Sequence, residues 1–230
     1  CNPMKCGVVV FPGANCDRDM ISALRDDLGQ EVVELWHKDN DLSAFSTEDC
    51  IVLPGGFSYG DYLRCGAIAR FSPMMQQTIS FAQRGGKVLG VCNGFQILCE
   101  SGLLPGVLLK NANQQFICKN VHIIGKENRA LKIPIAHGEG RFQADEATIQ
   151  SILENDQVIY RYCDENGNTT AEANPNGTLH NIAGICNKER NVFGMMPHPE
   201  RACSSKIGNT DGISVFNTLL LQHVKDAVTA

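Results

Sequence analysis

The stretch Lys87–Gly102 reads KVLGVCNGFQILCESG and sets a cysteine where a strand should give way to a helix. Val88–Val91 is a short apolar run suited to a buried parallel strand, and Phe95, Leu98 and Cys99 then fall at helical spacing. Cys92 stands between them, with Gly90 and Gly94 two residues to either side. That is the thiol form of a nucleophile elbow, in which glycines let a sharp turn present one side chain above a sheet. Unpaired N–H groups at a helix N-terminus favour a thiolate over a thiol, and the N–H of Asn93 would face a developing oxyanion. On its own, G-x-C-x-G equally fits a core cysteine that follows a strand.

A thiol nucleophile needs a base, and the base needs an orienting group. Met195–Ala202, MMPHPERA, offers His198 and Glu200 two residues apart, flanked and separated by Pro197 and Pro199. Proline pushes the residue before it toward extended geometry, in which i and i+2 point the same way. Glu200 would then accept the Nδ1 proton of His198 and leave Nε2 free toward a thiol. A rigid loop with an incidental ion pair fits the same letters.

His137-Gly138-Glu139 has the same spacing with glycines in place of prolines. Nothing there predisposes the two side chains to one face, and the glycines would equally let a substrate approach the backbone. Pro54–Arg70, PGGFSYGDYLRCGAIAR, follows an apolar run. Such a turn can aim N–H groups at an anion above the carboxyl end of a sheet, where ligands of open α/β folds gather. Gly56 and Phe57 would complete an oxyanion hole with Asn93. Tyr59, Asp61, Tyr62 and Arg64 add more polar groups than a plain turn requires, although a long strand-to-helix connection would also read this way.

The elements that must hold these residues alternate. Lys5–Phe11 is a first strand ended by Pro12-Gly13, and Asn15 or Asp17 would cap a helix that runs to Leu28 and stops at Gly29. Glu31–Trp36 and Cys50–Leu53 are further strands, Pro73–Arg84 is a helix ended by Gly85-Gly86, and Lys87–Val91 is the strand that leads into Cys92. Strands alternating with helices across short glycine turns predict an α/β fold with an open, mostly parallel sheet flanked by helices. The second half is richer in strands: Phe116–Ile124, Leu131–Ile135, Gln157–Tyr162, Asn181–Cys186 and Val192–Met196. Asp145–Glu154 and Gly212–Ala227 read as helices, and Asp164–Gly177 as an exposed loop. Without repeats or linkers, residues 1–230 read as one domain, with Met4 as its natural start and residues 1–3 as an appended remnant.

Composition narrows the function classes. The 230 residues are 43% hydrophobic with a formal net charge of −5, and their lysines and arginines are scattered, so no basic face for nucleic acid is visible. No apolar run approaches the roughly 18 residues that a membrane span requires, and no signal peptide precedes the first strand, which points to the cytoplasm. The eleven cysteines are odd in number and irregular in spacing, with no C-x-x-C pair. Neither a disulfide framework nor a metal site is expected, and most should be reduced core residues.

The elbow cysteine, the glycine turn after a strand and the His-x-Glu segment together closely resemble the class I, triad-type glutamine amidotransferases, which release ammonia from glutamine through a Cys-His-Glu triad. The resemblance spans nearly the whole chain and implies a flavodoxin-like fold. It makes Cys92 the nucleophile, His198 the base and Glu200 its orienting carboxylate, and places the oxyanion turn on Pro54-Gly55-Gly56. Gln96, one helical turn past Cys92, falls where the family contacts glutamine, and Gly55, His137, Gly138 and Glu139 are expected beside it.

Within that class, Phe11–Asp19, Pro54–Arg70, Gly90–Leu98 and MMPHPERA are similar to the glutaminase subunits of phosphoribosylformylglycinamidine synthases. YGDYLRCGAIAR is the most discriminating motif, whereas Asn111–Leu131 is less similar and should bear only on peripheral contacts. The implied reaction belongs to purine biosynthesis. Glutamine is hydrolysed here, and the ammonia passes to a separate ATP-dependent synthetase subunit that turns the formylglycinamide ribonucleotide amide into an amidine, with a small third subunit in the complex. ATP and magnesium are expected on the synthetase and no cofactor on this chain, which has no G-x-x-x-x-G-K-[ST] loop. Asn15, Asp17, Tyr59, Asp61 and Arg64 are the candidate docking residues. A glutaminase serving another synthetase and an inactive docking subunit are the competing readings, and a thiol redox protein would explain the cysteines but not the His-Pro-Glu segment.

Overall fold

The structure, a computed structural model, describes residues 3–61 and 66–221. Tyr62, Arg64 and the last six residues of the expected closing helix lie outside them. In chain order the elements are β1 (Lys5–Val10), α1 (Asp17–Ser22), β2 (Glu31–Trp36), β3 (Cys50–Leu53), α2 (Pro73–Gln83), β4 (Lys87–Val91), α3 (Asn93–Glu100), β5 (Val107–Leu109), β6 (Ile117–Ile124), β7 (Leu131–His137), β8 (Arg141–Gln143), α4 (Glu146–Glu154), β9 (Val158–Cys163), β10 (Ile182–Cys186), β11 (Val192–Met195) and α5 (Asp211–Phe216).

Strands buried on both faces have no polar side to alternate with, which is why β3, β4, β10 and β11 read as continuous apolar runs. They sit in the middle of a nine-stranded sheet of order β2-β1-β3-β4-β11-β10-β9-β6-β7. The first five of these strands are parallel to one another, and the remaining four join antiparallel. The strand-rich second half thus extends the parallel sheet rather than forming a layer of its own. At the far edge, β7 alternates buried and less buried residues and tolerates Pro134, because among the described residues only β6 pairs with it as a strand.

Register decides which loops meet. Leu53 lies opposite Gly90, and Val91 opposite Met195, so β3, β4 and β11 end side by side at their carboxyl ends. The three turns that follow carry Gly55-Gly56, Cys92 and His198. The sheet also closes back on this edge: the His198 N–H donates to the carbonyl of Pro134 in β7 at 2.8 Å.

Two local expectations need correction. Neither Asn15 nor Asp17 caps α1; Cys16 occupies the cap position, without a side-chain hydrogen bond to the helix, and Asp17 is the first helical residue. After Ser22 the helix loosens into a π turn, Ala23–Asp27, and Gly29 follows at φ +66°. Two short strands, β5 and β8, pair with each other where only loops were expected. Nine described cysteines are free thiols. Cys6 and Cys203, for example, are pushed up to about 12, chiefly by burial, as suits small core residues.

Candidate active site

Cys92 occupies the cap position before α3 at φ 53°, ψ −107°, a backbone strained for any residue with a Cβ. The turn is kept tight by the absence of side chains around it. A Cβ on Gly94 would fall 2.0 Å from the Leu53 carbonyl oxygen, and one on Gly90 would fall 2.6 Å from the Gly94 carbonyl. Gly55 sits against the two reactive side chains, since a Cβ there would lie 2.7 Å from His198 Cε1 and 3.3 Å from Cys92 Cβ. The Cys92 thiol donates to the Ala136 carbonyl at 3.7 Å.

His198 and Glu200 pair as expected, with Nδ1 and Oε1 2.6 Å apart and both side chains buried. The backbone reason differs from the one read in the sequence. His198 has φ −101°, ψ 88°, and the chain turns at Pro199 into a 3-10 turn, Pro199–Ala202, that carries Glu200. Proline suits the first position of such a turn because its φ is already helical and its missing N–H would have had no partner. Burial alone would push the imidazole down, but the Glu200 carboxylate and the nearby Cys92 sulfur outweigh it and hold His198 up at about 10. Nε2 is buried without a hydrogen-bond partner among the described residues, so its proton is available to the reacting atoms.

The expected oxyanion turn lies against the elbow. Among the described residues, the N–H groups of Gly56 and Phe57 bond to no protein acceptor, whereas the next N–H, Ser58, donates to Asn93 Oδ1 at 3.2 Å. Asn93 thereby ties the glycine turn to the nucleophile turn. Its Nδ2 donates to Gln96 Oε1 at 2.8 Å, and Gln96 Nε2 donates to the Glu139 carbonyl at 2.5 Å. The amide of Gln96 is therefore occupied in joining α3 to the 137–140 loop.

A cavity of about 310 Å³ opens onto Cys92 and His198, and Gly56, Phe57, Gln96, His137, Gly138 and Glu139 also line it. His137 is not a second base paired with Glu139. Its Nδ1 bonds to Asn111 Oδ1 at 3.0 Å, and burial, reinforced by the charge of His198, pushes it down to about 4. Asn111 also donates to the His137 carbonyl at 2.8 Å, so the segment expected to be peripheral reaches the site. Because the unfolded histidine titrates near 6.5, the unfolded chain binds the extra proton, and stability falls as pH drops from about 6.5 to 4. His137→Gln should remove that acid limb, on the order of 3 kcal/mol of unfolding free energy between pH 6.5 and 4, from stability measured by denaturant unfolding against pH; an unchanged slope would show that His137 is not held neutral.

Several lining residues gave no signal in the sequence. Phe116, expected to start a strand, is exposed at the cavity mouth with Phe57. Cys16 and Arg201 meet across the fold, with Arg201 Nη2 donating to Cys16 Sγ at 2.9 Å. Asn15 lines the cavity and accepts from the Cys16 thiol at 3.3 Å. Among the other candidate docking residues, Asp17 is partly exposed and Tyr59 is half-buried with its hydroxyl on His37. Asp61 closes a short 3-10 turn that begins at Ser58, and Arg64 lies outside the described residues.

Comparison with known proteins agrees with this geometry. Residues 3–211 match the family of CobB/CobQ-like glutamine amidotransferase domains. The phosphoribosylformylglycinamidine synthase subunit PurQ of Acaryochloris marina is 50% identical, over 99% of this chain and 100% of its own length. The PurQ subunit of Trichormus variabilis is 53% identical, over 94% and 97%. A solved structure of PurLQS from Thermotoga maritima has a chain 39% identical with a TM-score of 0.82, covering 96% of this chain and 99% of that one. Similarity at this level over nearly full length leaves one assignment: the chain belongs to the PurQ family of phosphoribosylformylglycinamidine synthase subunits, built on a glutamine amidotransferase domain.

Proposed function

We propose that this chain is the glutaminase of a phosphoribosylformylglycinamidine synthase, with Cys92, His198 and Glu200 as its catalytic triad. The observation that carries the reading is the 2.6 Å His198–Glu200 pair whose imidazole lines the same cavity as a cysteine held on a strained elbow. The Cys92 sulfur attacks as a thiolate, beside the His198 imidazolium, and bonds to the side-chain amide carbon of glutamine, while the tetrahedral oxyanion rests on the N–H groups of Gly56, Phe57 and Asn93. His198 gives its proton to the departing nitrogen, which leaves as ammonia, and a thioester remains on Cys92. Water then attacks the thioester, His198 takes its proton, and glutamate is released.

The 137–140 loop forms the substrate-binding wall. Glu139 offers a carboxylate to the glutamine ammonium group, Gly138 offers close backbone approach, and neutral His137 offers a buried ring. Gln96 acts mainly by holding that loop, and Gly55 by keeping room between the reactive side chains. The ammonia goes to an ATP-dependent synthetase subunit, which holds the ATP and magnesium, in a cytoplasmic complex with a small third subunit. Asn15, which lines the cavity, and Asp17, two residues further on and partly exposed, are the docking residues best placed for that partner.

Glutamate release from glutamine, measured with this chain alone and then with the synthetase subunits, ATP and formylglycinamide ribonucleotide, tests the reading. Release that rises when all are present supports it. Release indifferent to them would keep the glutaminase but reassign the acceptor, and no release in either condition would overturn it.

A further inference from the structure

The reaction uses Cys92, His198 and Glu200, yet a different cysteine completes a second constellation with the same histidine and glutamate. Cys16 Sγ, a ring nitrogen of His198 and a carboxylate oxygen of Glu200 all lie within 4.8 Å of one another, and all three residues are buried. No other three His, Cys, Asp or Glu donors converge in this way among the described residues. Glu200 Oε2 is buried without a hydrogen-bond partner, so this carboxylate has an oxygen to spare. The proposed mechanism gives Cys16 no task.

We propose that Cys16, His198 and Glu200 form an inhibitory site for a thiophilic divalent cation such as Zn2+. Sulfur, imidazole nitrogen and carboxylate oxygen are the donors zinc takes, and three protein ligands with one open position is a common arrangement for it. Tetrahedral zinc holds such donors about 3.3–3.7 Å apart, so the three atoms, now within 4.8 Å of one another, close on the ion while the 2.6 Å His198–Glu200 contact opens. Binding displaces two protons, one from the Cys16 thiol and one from the His198 imidazolium, leaving a thiolate, a neutral ring and a carboxylate to balance the dication, which is what permits a metal in a buried setting.

Arg201 opposes the metal, because its Nη2 must release the Cys16 sulfur. Its Nε–Asp19 contact at 3.3 Å gives the guanidinium a place to stay when it does. Occupancy takes a lone pair of His198 and an oxygen of Glu200 together, so hydrolysis stops until a chelator removes the ion.

Only the inhibition readout rests on the function proposed above; metal binding is measured separately. Zn2+ affinity is read by competition with a chromophoric chelator, and Co2+ substitution reports thiolate ligation through its charge-transfer band. Both are done on full-length Cys118→Ser protein, which removes an exposed thiol. One tight Zn2+ is expected, retained in Cys92→Ser and weakened about 100-fold or more in Cys16→Ser. Zn2+ should no longer slow Cys16→Ser relative to that variant's own metal-free rate, while Arg201→Gln should bind the ion more tightly. Equal affinity in Cys16→Ser, or loss of the site in Cys92→Ser, would overturn the proposal. If Cys16→Ser fails to fold, weaker rather than tighter binding by Arg201→Gln overturns it independently.

Discussion

Cys92→Ala is expected to lower glutamine hydrolysis by about 10⁴-fold or more, because the remaining donors can hold a substrate but nothing can form the thioester. The loss should fall on kcat rather than on KM, since the sulfur contributes bond formation and little to ground-state binding. Fold loss is a poor alternative explanation here, and stability measurements separate the two. Residue 92 sits at φ 53°, ψ −107°, and backbone strain of that kind costs on the order of 1–3 kcal/mol. Alanine keeps the strain and should leave Tm close to that of the parent chain. Glycine in its place relieves the strain and should raise Tm while remaining inactive. Rapid-quench detection of a covalent glutamyl adduct in the parent chain, absent in Cys92→Ala, completes the test. An alanine variant retaining more than about a hundredth of the parent rate would remove Cys92 from the mechanism.

The elbow was legible because its demands are steric and local. A glycine two residues either side of the cysteine is what backbone contacts of 2.0 and 2.6 Å require, and a short apolar run identifies the buried strand before it. The pairing of His198 with Glu200 was also legible, although from spacing that has more than one physical origin: an extended segment and a 3-10 turn opened by Pro199 both bring i and i+2 together. The parallel half of the sheet could be read from alternation of strands and helices, since each strand there is a continuous apolar run.

What could not be read depends on contacts between distant residues. Asn111 reaches His137 across 26 positions and Arg201 reaches Cys16 across 185. Neither pair leaves a local pattern, because each follows from how the sheet closes on itself. The His137-Gly138-Glu139 spacing suggested a second base, and the ring went to Asn111 instead, because Gly140 leaves it room: a Cβ there would lie 2.4 Å from the imidazole. The three-residue strands β5 and β8 are too short to carry a period. The motifs thus located the chemistry, and tertiary closure selected its walls.

Glu200→Gln is the second large effect expected, a fall in rate of about 10⁴-fold by analogy with removing the carboxylate of a serine triad while keeping its shape. An amide at this position can still accept from Nδ1, so the geometry survives and the charge does not. The pH dependence gives the effect its signature. Burial works to lower the His198 pKa, and the Glu200 carboxylate is the first of the groups that raise it. In the parent chain the imidazolium persists to about pH 10, which keeps a proton available for the departing ammonia across the neutral range. Without the carboxylate, burial prevails and the proton is lost at lower pH, so the alkaline limb of the kcat/KM profile should move down. Stability carries the same sign. A histidine held above its unfolded value of about 6.5 contributes fully below that pH and progressively less as pH rises toward 10. Glu200→Gln should therefore destabilise the chain most at and below pH 6.5 and least near pH 10. A variant whose rate falls without any movement of the alkaline limb would show that Glu200 only orients the ring. One whose limb moves while the rate is kept would show that the imidazolium is not the acid.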